Sequence, residues 1–387
     1  MIVLLLLSWL CAADDTLLFT TWADDQRPAA EVPVRIASNM NRPSIVPLEA
    51  APTEPTVLER VQPGYRFAGT LFSQVAGWVH DRPGWVRPER IGTTVHGRPI
   101  WAFHLARPGQ PIHRKVLVFG GIHALEWIST EVATDVLLDL SEHGPPPGVQ
   151  VTVIPLLNPD GRAAVEADLR VGKSVYRRGN GRNVDLNRDF AINREKRAFW
   201  RKIIPGYYST SKSALSQPET QAIDALADRE RYHRVASLHS FGGFFYAPWA
   251  GRFHRTQRQD RREHWELGRA MELAWGTRAY RTRQLGRWGF FFRAHGAEVD
   301  HFYGRYGARS FLIEVSRSGI HPLNPKTYKV GFHSYNPDIP RRMHKHIDRT
   351  AQSVKALIRH PELDSEREAR LNNNGVPRPP IEGDEAP

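Results

Sequence analysis

Four short apolar runs, residues 115–122, 149–157, 234–238 and 310–315, constrain this chain more than any other feature of it. They are rich in β-branched and aromatic residues and nearly continuous, as strands buried on both faces are. Between them lie stretches 127–142, 218–232 and 261–275, whose apolar residues recur at helical spacing. Strand and helix in alternation predict an α/β fold: a single large domain with a mixed, mostly parallel sheet and helices on both faces. In such a sheet the ligand site lies beyond the carboxyl ends of the strands. Each run ends in, or is followed by, polar residues suited to chemistry: His123 and Glu126, Asn158 and Asp160, His239, and Glu314.

The rest of the chain frames this domain, which is expected over residues 61–360. Residues 1–13 read as a signal peptide: the apolar run 2–10 is too short to span a bilayer, and Cys-Ala-Ala precedes Asp14 as a small-residue cleavage site. Export is the expectation, with lipid anchoring at Cys11 the weaker alternative and no transmembrane segment. Cys11 is the single cysteine, so no intramolecular disulfide forms and stability rests on the core. Residues 14–60, with Pro43, Pro47, Pro52 and Pro55, read as a Pro-rich linker or arm, and 361–387 as a disordered charged tail. Lys and Arg number 53 against 41 Asp and Glu, a net charge of +12 that favours acidic polymers and anionic surfaces. No zinc-finger spacing or RNA-binding aromatic motif accompanies that charge, so a specific nucleic-acid partner is not expected.

His123-Ala124-Leu125-Glu126 sets an imidazole and a carboxylate close enough to meet one ion across a turn, and His239 is a third donor from a neighbouring strand. Two histidines and a carboxylate leave a fourth position for water, the donor set of hydrolytic zinc. Taken alone, the pair also has a plainer reading, in which Glu126 is an acid at a helix start answering the helix dipole.

Five segments stand in chain order: Gly120-Gly121-Ile122-His123-Ala124-Leu125-Glu126-Trp127-Ile128, Asn158-Pro159-Asp160-Gly161, Asp185-Leu186-Asn187-Arg188, Leu238-His239-Ser240 and Phe311-Leu312-Ile313-Glu314. Their order and spacing resemble those of the zinc metallocarboxypeptidases of the carboxypeptidase A type. The resemblance covers about residues 65–358, and residues 91–100 resemble that family's opening strand pair. It implies a carboxypeptidase-like fold, one zinc per chain, and hydrolysis of the C-terminal bond of peptides or proteins.

Residue by residue, the resemblance implies that His123, Glu126 and His239 hold the zinc and that Asp185 accepts a hydrogen bond from the far nitrogen of His123, fixing its tautomer. Glu314 is the implied general base, taking a proton from a metal-activated water and passing it to the leaving amine. Arg177, beside Arg178, matches the arginine that stabilises the oxyanion, an effect worth on the order of 10²- to 10³-fold in rate. Asn187 and Arg188 match the pair that grips the substrate's terminal carboxylate, for which a planar guanidinium offers a two-pronged donor.

Two positions depart from the family pattern. Leu125 stands where the family has an arginine, and Phe292 aligns with its mobile tyrosine, keeping the cover over the substrate but losing a hydrogen bond. Val299 aligns with the base of the pocket for the final side chain, with Tyr246, Ala250 and Leu312 adding no acid, so apolar or aromatic C-terminal residues are expected. Glu298 complicates this, since a one-position shift brings a carboxylate into the pocket and favours Lys or Arg. Two other readings share the motifs: an amidase of the same fold acting on cell-wall peptides, and a non-catalytic zinc-binding protein. A retained Glu314 speaks against the second, because a binding module has no use for a buried base.

Overall fold

The computed structural model describes residues 64–80, 84–173, 175–194, 211–288, 293–317, 331–337 and 339–371. The expected signal peptide and linker, and Phe292, lie outside the described residues.

The sheet begins with an antiparallel hairpin, β1 (Val86–Thr93) and β2 (Pro99–Leu105), with an irregularity between Arg90 and Gly92. It continues through β3 (Arg114–Phe119), β4 (Val149–Ile154), β5 (Arg234–His239), β6 (Phe244–Ala247), β7 (Arg281–Gln284) and β8 (Arg309–Glu314). The eight strands lie in the order β1-β2-β4-β3-β5-β8-β6-β7. The central four, β4-β3-β5-β8, are mutually parallel, while β2 and β6 join them antiparallel. The mixed, mostly parallel sheet read from the apolar runs is therefore present.

Helices cover both faces because alternate residues of the central strands point to opposite sides. Val116 and Val118 of β3 join one buried cluster with Val136 of α2 (Trp127–His143), while Leu117 and Phe119 join another with Ile223 of α4 (Pro218–Glu230). The first face also carries α1 (Ala68–His80), α5 (Arg258–Trp275) and α9 (Pro340–Arg359), through Leu71, Leu267 and Val354. The second carries α7 (Glu298–Tyr306), through Phe302. The elements α3 (Pro159–Arg170), α6 (Leu285–Trp288), α8 (Gly331–Tyr335) and α10 (Asp364–Leu371) complete the described helices.

Where strand runs 115–122 and 149–157 outlast the observed strands, the chain turns toward the site. Gly120 and Gly121 end β3 by passing under the start of α2: a Cβ on Gly120 would lie 2.6 Å from the Ser129 carbonyl, and Gly121 sits at φ +63°. At the other end of the molecule, the tail expected from residue 361 begins instead with α10. Glu366 of that helix is 3% exposed and takes both Nε and Nη2 of the fully buried Arg234 at 2.7 Å. Buried charge pairing outweighs the polar composition that reads as a tail.

Candidate metal centre and active site

His123 and Glu126 occupy the turn between β3 and α2, and His239 ends β5, the strand beside β3. His123 Nδ1 lies 2.8 Å from Glu126 Oε1, His239 Nδ1 lies 3.1 Å from Glu126 Oε2, and the two Nδ1 atoms are 3.1 Å apart. All three residues are 2% exposed. With the ring protons on the far nitrogens, the two Nδ1 atoms would face each other across one carboxylate as lone pairs around a single small space, the arrangement a cation fits. Glu126 is the N-cap residue of α2 yet makes no side-chain cap. Its carboxylate turns to the two histidines and also accepts from the Ser240 amide at 3.0 Å, so the helix-dipole reading does not describe it. Burial opposes its charge, but the imidazoles outweigh burial and hold it well below the ordinary carboxylate range.

The far nitrogen of each histidine meets a further carboxylate. His123 Nε2 lies 3.0 Å from Asp185 Oδ1, the pair that the family resemblance implies. His239 Nε2 lies 2.8 Å from Glu298 Oε1 and 2.9 Å from Ser237 Oγ, a partner nothing in the sequence pattern indicated. Burial alone would lower His239; the carboxylates of Glu298 and Glu126 outweigh it and raise its pKa to about 10. A site this rich in acids favours a cation at its centre.

The loop that carries His123 and Glu126 is held by groups the sequence did not single out. Asn336, fully buried just past α8, donates through Nδ2 to the Leu125 carbonyl at 2.7 Å and accepts from the Ile128 amide at 3.0 Å. Leu125 itself packs into the core at 2% exposure. Asn158 caps α3 through the Gly161 amide and donates to the carbonyls of Ile122 and Gly179, while Asp160 receives the His96 amide and Arg98 Nη1. Both work in the scaffold.

The arginine placement needs correcting. Arg177 turns away from the cluster, its half-exposed side chain paired with Asp168. Its neighbour Arg178 enters instead: Nε donates to Asp185 Oδ2 at 2.8 Å and Nη1 to Glu126 Oε1 at 3.2 Å. The two neighbouring side chains part, and the second of the pair faces the site. Its side chain is 14% exposed, enough to remain reachable.

Asn187 and Arg188 follow Asp185 in a single 3-10 turn capped by the Asp185 side chain. Both are buried; Arg188 Nη1 donates to the Asn187 carbonyl at 2.6 Å, and Asn187 Oδ1 accepts from the Glu298 amide at 3.0 Å. Val299 forms a small apolar cluster with Tyr246, Ala250, Ala294, Ala297 and Leu312. Neither neighbouring acid enters that cluster as a free charge: Glu298 is on His239, and Asp300 accepts the amides of Ala250 and Gly251 at 2.6 and 2.9 Å.

Glu314 ends β8 directly opposite His239 in the parallel β5–β8 register. Its Oε2 is buried without a hydrogen-bond partner among the described residues. Burial, then the nearby charge of Glu126, raises its pKa to about 7, against the pull of His239 and Arg178. Gly242 leaves it room, since a Cβ there would lie 2.9 Å from Glu314 Cγ.

The family model for peptidase M14, zinc carboxypeptidase, matches residues 75–343. The chain belongs to the zinc carboxypeptidase family. It is 28% identical over 183 residues to Carboxypeptidase SOL1 of Arabidopsis thaliana, covering 42% of this chain and 30% of that protein. It is 27% identical over 146 residues to Inactive metallocarboxypeptidase ECM14 of Saccharomyces cerevisiae, covering 34% of each. The matches thus span about a third of these relatives' length. In fold it resembles bovine thrombin-activatable fibrinolysis inhibitor, with a TM-score of 0.59 and 17% identity over 76% of this chain and 97% of that one.

Proposed function

We propose that this protein is an active zinc metallocarboxypeptidase that removes apolar or aromatic residues from the C-termini of peptides or proteins. The observation that carries the reading is Glu314: a half-buried side chain with one buried, unpartnered carboxylate oxygen, one strand from His239. The family includes a relative named as inactive, so membership alone does not imply turnover. A buried carboxylate oxygen without a partner is destabilising, and retaining one here is explained by its use.

His123, Glu126 and His239 would hold one zinc, which supplies a Lewis acid that polarises the scissile carbonyl and acidifies water. Glu314, with its raised pKa, takes the proton from the attacking water and delivers it to the leaving amine. Arg178, and not Arg177, offers guanidinium donors where the oxyanion develops, fixed beforehand by Asp185 and Glu126. Asn187 and Arg188 grip the terminal carboxylate. The cluster around Val299 receives the last side chain, each buried methylene contributing about 0.8 kcal/mol.

The test uses peptides ending in Phe, Leu, Lys or Arg, each with a free or an amidated terminus, with products read by mass. Free Phe and Leu termini should be released fastest, and amidation should abolish release. Equal cleavage of amidated peptides would refute the exopeptidase reading, and preference for Lys or Arg would refute the pocket assignment.

A further inference from the structure

We infer that Glu298 is a positioning residue for the second histidine of the metal centre, and that its carboxylate sets how tightly the metal is held. The inference rests on the reading of His123, Glu126 and His239 as metal ligands. Glu298 is the first residue of α7 and is 0% exposed. Its Oε1 lies 2.8 Å from His239 Nε2, matching Asp185 on the Nε2 of His123 at 3.0 Å. A carboxylate on Nε2 keeps the proton there, so the lone pair stays on Nδ1, the atom that faces Glu126 and His123. It also makes the imidazole a stronger donor and stops the ring from turning.

The bracing reaches the substrate side as well. The Glu298 amide is anchored on Asn187 Oδ1 at 3.0 Å, and the next residue, Val299, lies in the apolar cluster. One residue therefore joins the ligand shell to both the carboxylate grip and the side-chain pocket.

The test compares the full chain with E298Q, which keeps the shape and removes the charge, and with E298D, which keeps the charge but shortens the reach. Zinc affinity is measured by competition with a chelator, the cobalt-substituted proteins are compared by visible absorption, and melting is followed with metal removed. E298Q should bind zinc roughly 10- to 100-fold more weakly, with an altered cobalt spectrum and an unchanged metal-free melting temperature. E298D should recover only part of the affinity. Zinc binding by E298Q as tight as the parent's, or a loss that merely follows a lower metal-free melting temperature, overturns the inference. A parent chain that binds no zinc would overturn the metal reading itself and is recognised separately from those outcomes.

Discussion

At the scale of single residues, burial decides which groups can do chemistry. Glu314 is kept partly protonated at neutral pH by its surroundings, with a pKa of about 7 before a metal is added. A base works only when deprotonated, so kcat/KM should rise with pH through an acid limb and level off above it. A bound cation moves that limb downward from about 7 toward the ordinary carboxylate value. Glu314→Gln should keep its metal, lose on the order of 10²-fold or more in kcat, and lose the acid limb; pH profiles of both proteins, with metal analysis, check this. Arg178→Ala should reduce kcat by roughly 10²- to 10³-fold, while Arg177→Ala should leave it near the parent value. The reverse ranking in steady-state kinetics would restore Arg177 to the role. This choice was not legible in the sequence, because two adjacent arginines in a loop are told apart only by which one the fold turns inward. His123, Glu126 and His239 were nameable as a donor set and Asp185 through the family resemblance, and the four lie together. The roles of Glu298 and Asn336 were not, since neither stands in one of the five motif segments and each serves the site only through a contact the fold makes, between Glu298 and His239 or between Asn336 and Leu125.

At the scale of elements, the four buried strands and the helices between them could be read because continuous apolar runs admit few other structures. The short strands β6 and β7 could not. Each has four residues, and β7 is Arg-Thr-Arg-Gln, alternately exposed and buried. Helix α10 escaped notice for a different reason, its polar surface concealing a single decisive contact. Burial pushes Glu366 up, but Arg234 outweighs it and holds the folded pKa below the ordinary value. The stabilisation from this pair is therefore complete at neutral pH and fades as pH falls through the carboxylate range and below the folded pKa. Glu366→Gln leaves Arg234 buried with its charge uncompensated, and should destabilise the protein by about 3 to 5 kcal/mol. Denaturant unfolding at neutral pH measures it, and the difference from the parent should shrink in acid.

For the whole molecule, the sheet has two unlike ends. Arg114, Arg234 and Arg309 open β3, β5 and β8, all buried and held by Glu366 or by Asp260 and Glu263. The far ends of the same strands lead into or carry His123, His239 and Glu314. One end anchors the fold, and the other concentrates acids around two imidazoles. That second end should be stabilised by its ion: at a thousandfold excess over Kd, zinc contributes about 4 kcal/mol to unfolding. Treatment with a chelator should lower the melting temperature and abolish hydrolysis together, and added zinc should restore both; restoration of one without the other would separate the metal from the catalysis. The parallel pairing of β5 with β8 also limits how such an enzyme can change. Because His239 and Glu314 face each other across one ladder spacing, the gap between ligand and base is a property of the backbone. Loops can be exchanged to admit new substrates without disturbing that interval, and altering it would require slipping a whole strand, which would turn every buried side chain of that strand to the wrong face.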